Sequence, residues 1–420
     1  MRNYGKILKL RRKELKITQM ELCEGICSHT YLSKVENEKV DPHPDTLKLI
    51  LKRLGISEQQ ENILELSMRV KEDLDTINKQ LFLEHNNPSK VRERLNSIVD
   101  VDRFRLEPKV QLLIRLTELR LFILESDHPA ALNIIQHIEP IFSQLEDDNR
   151  FYYILYSGLY YVKAQNYERA LNQLLKVDMQ HSSYPGTPLW AKGYYYYLLS
   201  LCYSYRYNTS KSLYYVEKGL EIFKGQFIIS RSVDCYILKG ICEYRLKDYN
   251  NSIEDFAVCV EYLTEKRDIK RLAKVNHNLG LVYQAINESE RALEYFEKVI
   301  EGKESINDRT ESLTKLILIK VYFSLGEISK AKVLLDGVSN YSSSLAPEVE
   351  LLGILINRKV PLVNVQKKIN RHMKELISLE KWKEVKDFSI WFAEAFAKIY
   401  QYKKSNGFYQ QAIYSYSKIS

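Results

Sequence analysis

A small residue recurs about every forty positions along most of the chain, and apolar residues follow it at fixed distances. Gly280 is followed by Tyr283 after three positions, by Ala292 after twelve and by Phe296 after sixteen. Residues three or four apart share one face of a helix, so small residues permit close approach and large ones fill the seam. Asn287 interrupts the two apolar segments. The pattern predicts a helix, a turn and a second helix.

The same frame fits several places in the chain. The residues that occupy the place of Gly280 in the successive copies are Leu119, Gly158, Ser200, Gly240, Gly280, Ile319 and Tyr400. The small residues twelve positions later are Ala131, Ala170, Ser212, Ser252, Ala292, Ala331 and Ala412. The interval of 81 residues before Tyr400 indicates one further copy, which would contain Gly353 and the interruption at Pro361.

This arrangement resembles the tetratricopeptide repeat, whose period is about 34 residues. A period near forty predicts helices about one turn longer each. The expected fold class is therefore all-α, and the repeats are expected to form a right-handed tetratricopeptide-like superhelix.

Four short helices are predicted at the N-terminus. Ile7, Leu8, Leu10 and Leu15 form the apolar face of the first. Thr18 opens the second, with Glu21 completing a capping box, and Ser28 opens the third. The fourth is expected from Asp45 to Leu54, followed by Gly55 as its cap.

Charge and composition narrow the class of protein. The net charge is +8, and residues 1–16 hold seven Lys or Arg against one Asp or Glu, which suits a nucleic-acid surface. The sequence has 45% hydrophobic and 28% charged residues and shows no signal peptide or apolar run able to span a bilayer, so we expect a cytoplasmic protein with no membrane partner. The six cysteines lack C-x-x-C spacing and are expected as buried thiols, with a redox role left open.

No catalytic motif accompanies these features. The sequence contains no Gly-rich phosphate loop, nucleophile elbow or His-Glu-x-x-His pair. We therefore expect no enzymatic activity, no cofactor and no metal site.

A long helix is predicted between the two parts. Ser57 and Gln60 have capping-box spacing, apolar residues continue to Leu81, and Asn86-Asn87-Pro88 ends the segment. We interpret 1–56 as the helix-turn-helix domain, 57–87 as a linker helix and 88–420 as a repeat domain for peptide binding and oligomerisation. The alternative is that the linker forms a first, irregular hairpin of the array.

Residues 4–56 resemble the phage-repressor class of helix-turn-helix domain, through Ile17 to Cys23, Ser28 to Asn37, Pro44 and Leu54-Gly55. In that family the third helix enters the DNA major groove. The resemblance implies DNA contacts from Gln19, Ser28, His29, Thr30, Tyr31, Ser33 and Lys34. It also implies a structural ion pair between Arg12 and Glu36. Glu38 stands where the family usually has glycine.

The first helix of each repeat is expected to line an inner surface. When the glycine is counted as position eight, the inward positions are two, five, six, nine, twelve and thirteen. These positions hold Tyr152, Lys163, Tyr194, Tyr197, Tyr205, Asp234, Tyr244, Arg245, Lys274, His277, Asn278, Gln284 and Lys320. Tyrosine, amide and charged groups suit an extended peptide, although each residue has a packing or solvated alternative. Asn278 is the preferred clamp for a peptide backbone, whereas His277 adds pH sensitivity or forms a local hydrogen bond.

The two parts together resemble the peptide-pheromone receptors of Gram-positive bacteria, the Rap, Rgg, NprR, PlcR and PrgX group, and most closely the NprR type. The resemblance implies a quorum-sensing transcription regulator that binds double-stranded DNA as a homodimer or higher oligomer and is switched by a short signalling peptide. The alternative function is a repeat scaffold that sequesters or regulates a response-regulator partner.

Overall fold

A computed structural model describes residues 4–37, 39–56, 58–83, 88–99, 106–177, 187–301, 309–337, 345–357 and 361–419. Throughout these ranges the regular elements are helices, and no strand occurs. The predicted all-α class is confirmed. None of the helices in these ranges has the length and apolar character needed to cross a membrane.

The N-terminal helices are α1 (Tyr4–Glu14), α2 (Gln19–Cys23), α3 (His29–Glu36) and α4 (Pro44–Arg53). They enclose a small core that includes Leu8, Leu22, Leu32 and Ile50. The Thr18–Glu21 capping box at α2 is present as predicted. Helix α4 starts and ends one residue earlier than expected, and Gly55 follows it with a φ of +67°, where glycine is favoured.

The next helices are α5 (Glu58–Leu83) and α6 (Pro88–Val99). Leu64 and Met68, near the start of α5, pack against the N-terminal core. Its later residues, including Leu74 and Phe82, belong to the core of the following repeats. Helix α5 is thus shared by two cores. Ser57, Asn86 and Asn87 lie outside the described residues, and so does Glu38.

Helical hairpins form the remainder of the described chain. They pair α7 (Pro108–Leu124) with α8 (His128–Ile138), α9 (Asp147–Lys163) with α10 (Tyr167–Leu174), α11 (Leu189–Tyr205) with α12 (Thr209–Gly225), α13 (Ile229–Arg245) with α14 (Tyr249–Glu265), α15 (Ile269–Ala285) with α16 (Ser289–Glu301), α17 (Arg309–Ser324) with α18 (Ile328–Asp336), α19 (Ala346–Asn357) with α20 (Gln366–Ser378), and α21 (Trp382–Ala397) with α22 (Tyr402–Ile419). A 3-10 helix, Glu139–Gln144, follows α8.

The glycine spacing has a direct steric cause. A Cβ atom on Gly240 or Gly280 would lie less than 3.0 Å from the ring of the phenylalanine sixteen residues later, Phe256 or Phe296. The small residue twelve positions after the glycine can also form a hydrogen bond to the first helix. Ser252 Oγ donates to the Gly240 carbonyl at 2.8 Å. The predicted packing of the two helices is confirmed.

Turns of equal length explain the forty-residue period. Tyr207, Phe227, Lys247, Arg267 and Asn287 all have positive φ and lie twenty residues apart. Each of the four intervals comprises a 17-residue helix and its turn, whereas α16, which follows Asn287, has 13 residues. The longer helices expected from the period are present in this part of the chain.

The position assigned to Tyr400 is wrong. Tyr400 has a φ of +60° and lies in the turn between α21 and α22, not within a helix. Helices α19 and α20 have only 12 and 13 residues, so the forty-residue period is not maintained before this hairpin. The further copy expected between Ile319 and Tyr400 is present as α19 and α20, with Gly353 in α19.

The chain divides into two compact units, Met1–Leu238 and Lys239–Ser420. The first unit contains the N-terminal helices, α5, α6 and the hairpins up to α12. The boundary lies within α13, so the second unit contains the end of α13, α14 and the hairpins from α15 onwards. Each unit is described separately below.

Candidate functional site

Helix α3 is capped by the residue that precedes it. Ser28 caps α3 by accepting a hydrogen bond from the Tyr31 backbone N–H at 3.2 Å. Leu32 and Val35 face the core and are almost fully buried. The opposite face of α3 therefore points away from the N-terminal core.

A buried ion pair fixes the end of α3 to α1. Arg12 donates from Nε and Nη2 to the two carboxylate oxygens of Glu36, at 2.6 and 2.8 Å, and Glu36 is 2% exposed. Burial raises the pKa of Glu36, but the hydrogen bonds from Arg12 and Gln19 outweigh it and leave that pKa below its usual value. The predicted structural pair is confirmed.

The residues implied to contact DNA differ in exposure. His29, Thr30 and Lys34 are exposed together with Ser28, and Ser33 is half-buried. Gln19 is half-buried and donates to Glu36 at 2.7 Å, so its amide already has a structural partner. Tyr31 is half-buried, and its hydroxyl accepts a hydrogen bond from the His43 backbone N–H at 2.8 Å. His29, Thr30 and Lys34 form the exposed edge of α3.

Helix α5 covers part of the surface expected to bind a peptide in the first unit. Tyr152 and Tyr194 are only 3% and 6% exposed. The Phe82 ring packs against Tyr194, with ring centroids 5.1 Å apart, and also against Trp190. These tyrosines lie beneath α5 instead of lining an open surface.

The other predicted residues of the first unit fall into two groups. Tyr197 stacks parallel to Tyr194 at 6.1 Å, and Asp234 forms an ion pair with Arg231 at 3.0 Å. Lys163 and Tyr205 are exposed, and the Tyr205 ring stacks on Tyr167 at 4.0 Å.

Two buried arginines in this region were not among the predicted residues. Arg120 and Arg231 donate to the backbone carbonyls of Leu81 and Phe82, the last turn of α5. Cations are favourable there, because the carbonyls at a helix C-terminus lack helical partners. Arg120 occupies position nine of its repeat, so the inward-position rule would have selected it at the first copy.

In the second unit the predicted residues are mostly accessible. Arg245, Lys274 and Gln284 are exposed, while Tyr244 and Asn278 are half-buried. Lys274 and Asn278 lie four residues apart on α15, so they share one face. A cation and an amide are consequently close together on this helix.

His277 and Lys320 already have partners. His277 Nδ1 is 2.7 Å from Thr314 Oγ1, and burial lowers the pKa of His277 to about 4. The imidazole is therefore neutral at physiological pH. Lys320 pairs with the buried Glu348 carboxylate, which also accepts from Lys381 at 2.7 Å.

The cysteines and metal-binding residue types form no site in the described chain. Cys202, Cys235, Cys242 and Cys259 are buried, as is Cys23, whereas Cys27 is half-buried. Among the described residues, no group of three or more His, Cys, Asp or Glu could hold a metal ion.

Known proteins resemble both parts of the chain. Residues 8–60 match the helix-turn-helix family. The transcriptional activator NprA of Geobacillus stearothermophilus is 27% identical over 346 residues, which cover 80% of this chain and 79% of NprA.

Solved structures share the fold. The apo form of the quorum sensor NprR from B. thuringiensis has a TM-score of 0.67 at 18% identity, covering 83% of this chain and 99% of that chain. NprR in complex with its cognate peptide NprX has a TM-score of 0.55 at 16% identity, covering 82% and 97%. Apo RapI has a TM-score of 0.63 at 18% identity, covering 84% and 98%. The chain therefore has the fold of the Rap and NprR proteins, with a helix-turn-helix match ahead of its tetratricopeptide-like hairpins, and it is similar in sequence to NprA.

Proposed function

We propose that the chain is a cytoplasmic transcription regulator that binds operator DNA through α3 and is switched by a short signalling peptide bound by its repeats. The active form on DNA is a homodimer. Peptide binding changes the DNA-bound population by favouring one conformation of the chain over another.

The exposed edge of α3 carries the DNA-binding part of the proposal. His29, Thr30 and Lys34 project from a helix whose other face is buried and whose end is held by the Arg12–Glu36 pair. The B-DNA major groove admits an α-helix, and hydroxyl and ammonium groups reach base edges and phosphates there. Residues 8–60 match the helix-turn-helix family, which supports this use of α3.

Replacing Lys34 or Thr30 with alanine is expected to weaken operator binding by about 1–3 kcal/mol if a base contact is lost. The operator would first be selected from random DNA by the wild-type protein, and affinity measured by fluorescence anisotropy at fixed salt. Lys79→Ala removes an exposed lysine of α5 and serves as the control. Wild-type affinity in both α3 variants would assign DNA binding to another surface.

The accessible residues of α15 support the peptide-binding part. Asn278 offers an amide donor and acceptor for a peptide backbone, and Lys274 offers a cation for a carboxylate. The related structure of NprR holds its cognate peptide NprX. These observations favour a short peptide over a small-molecule ligand.

Asn278→Ala is expected to weaken binding of a peptide selected from a library at least about fivefold, because one hydrogen bond to a peptide group is lost. Thermal melting should remain nearly unchanged, since the side chain is half-buried. Calorimetry measures the affinity, and Asn250→Ala, an exposed asparagine on α14, provides the control. A large drop in melting temperature would instead identify Asn278 as structural.

An electrophoretic shift assay with and without the selected peptide tests the switch, and sedimentation of the same samples reports the oligomer. A peptide that binds but changes neither measurement would disprove the switch. Retention of a response regulator, with no DNA binding by any variant, would favour the docking-scaffold alternative.

A further inference from the structure

A polar cavity lies in the first unit between α5, α7 and α9. Its volume is about 70 Å³, and its lining includes Lys71, Asp75, Lys109, Asp148, Asn149 and Tyr152. A cavity needs about 10–15 Å³ of such volume to hold one water molecule. The cavity therefore has room for a small charged group with its first carbon.

The Tyr152 hydroxyl in the cavity wall forms no hydrogen bond within the described residues. Its oxygen is buried, and the whole residue is 3% exposed. The neighbouring Tyr156 differs, because its hydroxyl donates to Asn78 Oδ1 at 2.7 Å. A buried polar atom without a partner costs free energy, so an orphaned hydroxyl in a cavity indicates a missing partner.

The charges of the lining favour a cation as that partner. Asp75, Glu146 and Asp148 oppose Lys71 and Lys109, which leaves one excess negative charge when all are ionised. Lys71 pairs with Asp148 at 3.2 Å, and Lys109 pairs with Glu107 at 3.3 Å. An anion entering the cavity would meet a net repulsion.

The surroundings of Asp75 disfavour its negative charge. Burial raises the pKa of Asp75, and this effect, together with the charges of Asp148 and Glu72, outweighs the opposing effect of Lys71. A cation beside Asp75 would therefore stabilise its ionised form.

The available acceptors match an ammonium group. Asn149 donates its Nδ2 to the Lys109 carbonyl at 2.9 Å, and its side-chain oxygen can accept. The Asp75 carboxylate and the Tyr152 hydroxyl oxygen can accept as well. An ammonium has three N–H donors and no acceptor, so these three groups would satisfy it.

We propose that this cavity binds a primary ammonium group of the signalling peptide, either its amino terminus or a lysine side chain. The inference rests on the proposed function in that it names a peptide as the carrier. The cavity then anchors one end or one side chain of the peptide in the first unit. Of its lining residues, the repeat pattern selected only Tyr152 as a peptide contact.

The ammonium chemistry is tested on the full chain with n-butylammonium chloride as the probe. At constant ionic strength, we expect it to raise the melting temperature of the wild type in a saturable manner, whereas 1-butanol and sodium butyrate do not. Asp75→Asn and Tyr152→Phe should each raise the half-saturating concentration of n-butylammonium about tenfold or more. Tyr152→Phe removes only a hydroxyl that bonds to none of the described residues, so this variant keeps the fold.

Asp73→Asn is the matched control, because Asp73 lies on α5 and pairs with Arg94 at 3.5 Å instead of lining the cavity. It should bind the probe like the wild type. The proposal is overturned if n-butylammonium does not raise the melting temperature of the wild type. It is also overturned if Asp75→Asn and Tyr152→Phe respond to n-butylammonium in the same way as Asp73→Asn.

Modified forms of the selected peptide identify the carrier. Loss of affinity on acetylating the amino terminus assigns the cavity to the terminus, and loss on replacing lysine with norleucine assigns it to the side chain. If the peptide binds and neither change matters, the proposal fails while the proposed function stands. If no peptide binds but the cavity variants lose n-butylammonium, the proposed function fails and the ammonium site remains.

Discussion

Replacing Arg12 with alanine is expected to destabilise the N-terminal helices by about 3 kcal/mol, because it leaves the buried carboxylate of Glu36 without its counter-ion. Glu36 is 2% exposed and holds α3 to α1 through this pair. Operator binding should fall with the population of the folded domain. Hydrogen exchange of peptides covering residues 4–37 should show protection reduced about a hundredfold, the equivalent of that free energy.

Lys13→Ala is the matched control, since Lys13 is exposed on the same helix. It should leave exchange unchanged. The wild type should show a related response to acid. The folded pKa of Glu36 lies below its unfolded value, so its contribution is present above the unfolded pKa and is lost as the pH falls through the folded pKa. Unaltered exchange in Arg12→Ala would show that the pair does not stabilise α3.

Gly280→Ala is expected to destabilise the second unit despite the better helix propensity of alanine. The added Cβ would overlap the Phe296 ring, which is 1% exposed and cannot turn into solvent. Overpacking of this kind costs about 1–3 kcal/mol. Urea unfolding of the full chain, monitored by circular dichroism, measures the change.

Two other helical glycines allow the effect of helix propensity to be measured without steric overlap. A Cβ on Gly353 or Gly407 would meet nothing within 4 Å. Alanine at either position should stabilise its helix by about 0.5–1 kcal/mol, because glycine is the poorer helix former. If Gly280→Ala proves as stable as these variants, close approach of the helices does not explain the glycine spacing.

The repeat architecture was predictable because its packing depends on residues close in sequence. Gly280 and Phe296 belong to one hairpin, and the steric demand between them recurs with each copy. The capping box at Thr18 and the helix opened by Ser28 are similarly local. Tyr400 was misplaced because an alanine twelve residues later fits the frame by coincidence, while the real turn lies at Tyr400 itself.

The burial of Tyr152 and Tyr194 was not predictable from the repeat pattern. It depends on α5, which lies outside the repeats and reaches them through contacts as distant as Arg231 with Phe82. Position rules derived from repeats assume that nothing covers their first helices. The cavity beside Asp75 has the same origin, because one of its walls is α5. In the second unit the predicted Lys274 and Gln284 are exposed.

Helix α5 can act as a lever between its two ends. Its 26 residues span about 39 Å at 1.5 Å per residue. A tilt of about 5° around the end held by Arg120 and Arg231 would displace the opposite end by about 3 Å, close to the 3.4 Å rise between neighbouring bases of a DNA strand. If the chain binds DNA as proposed, a small rotation among the repeats would be enough to move α3 by about one base-pair step relative to a second copy on a two-fold symmetric operator.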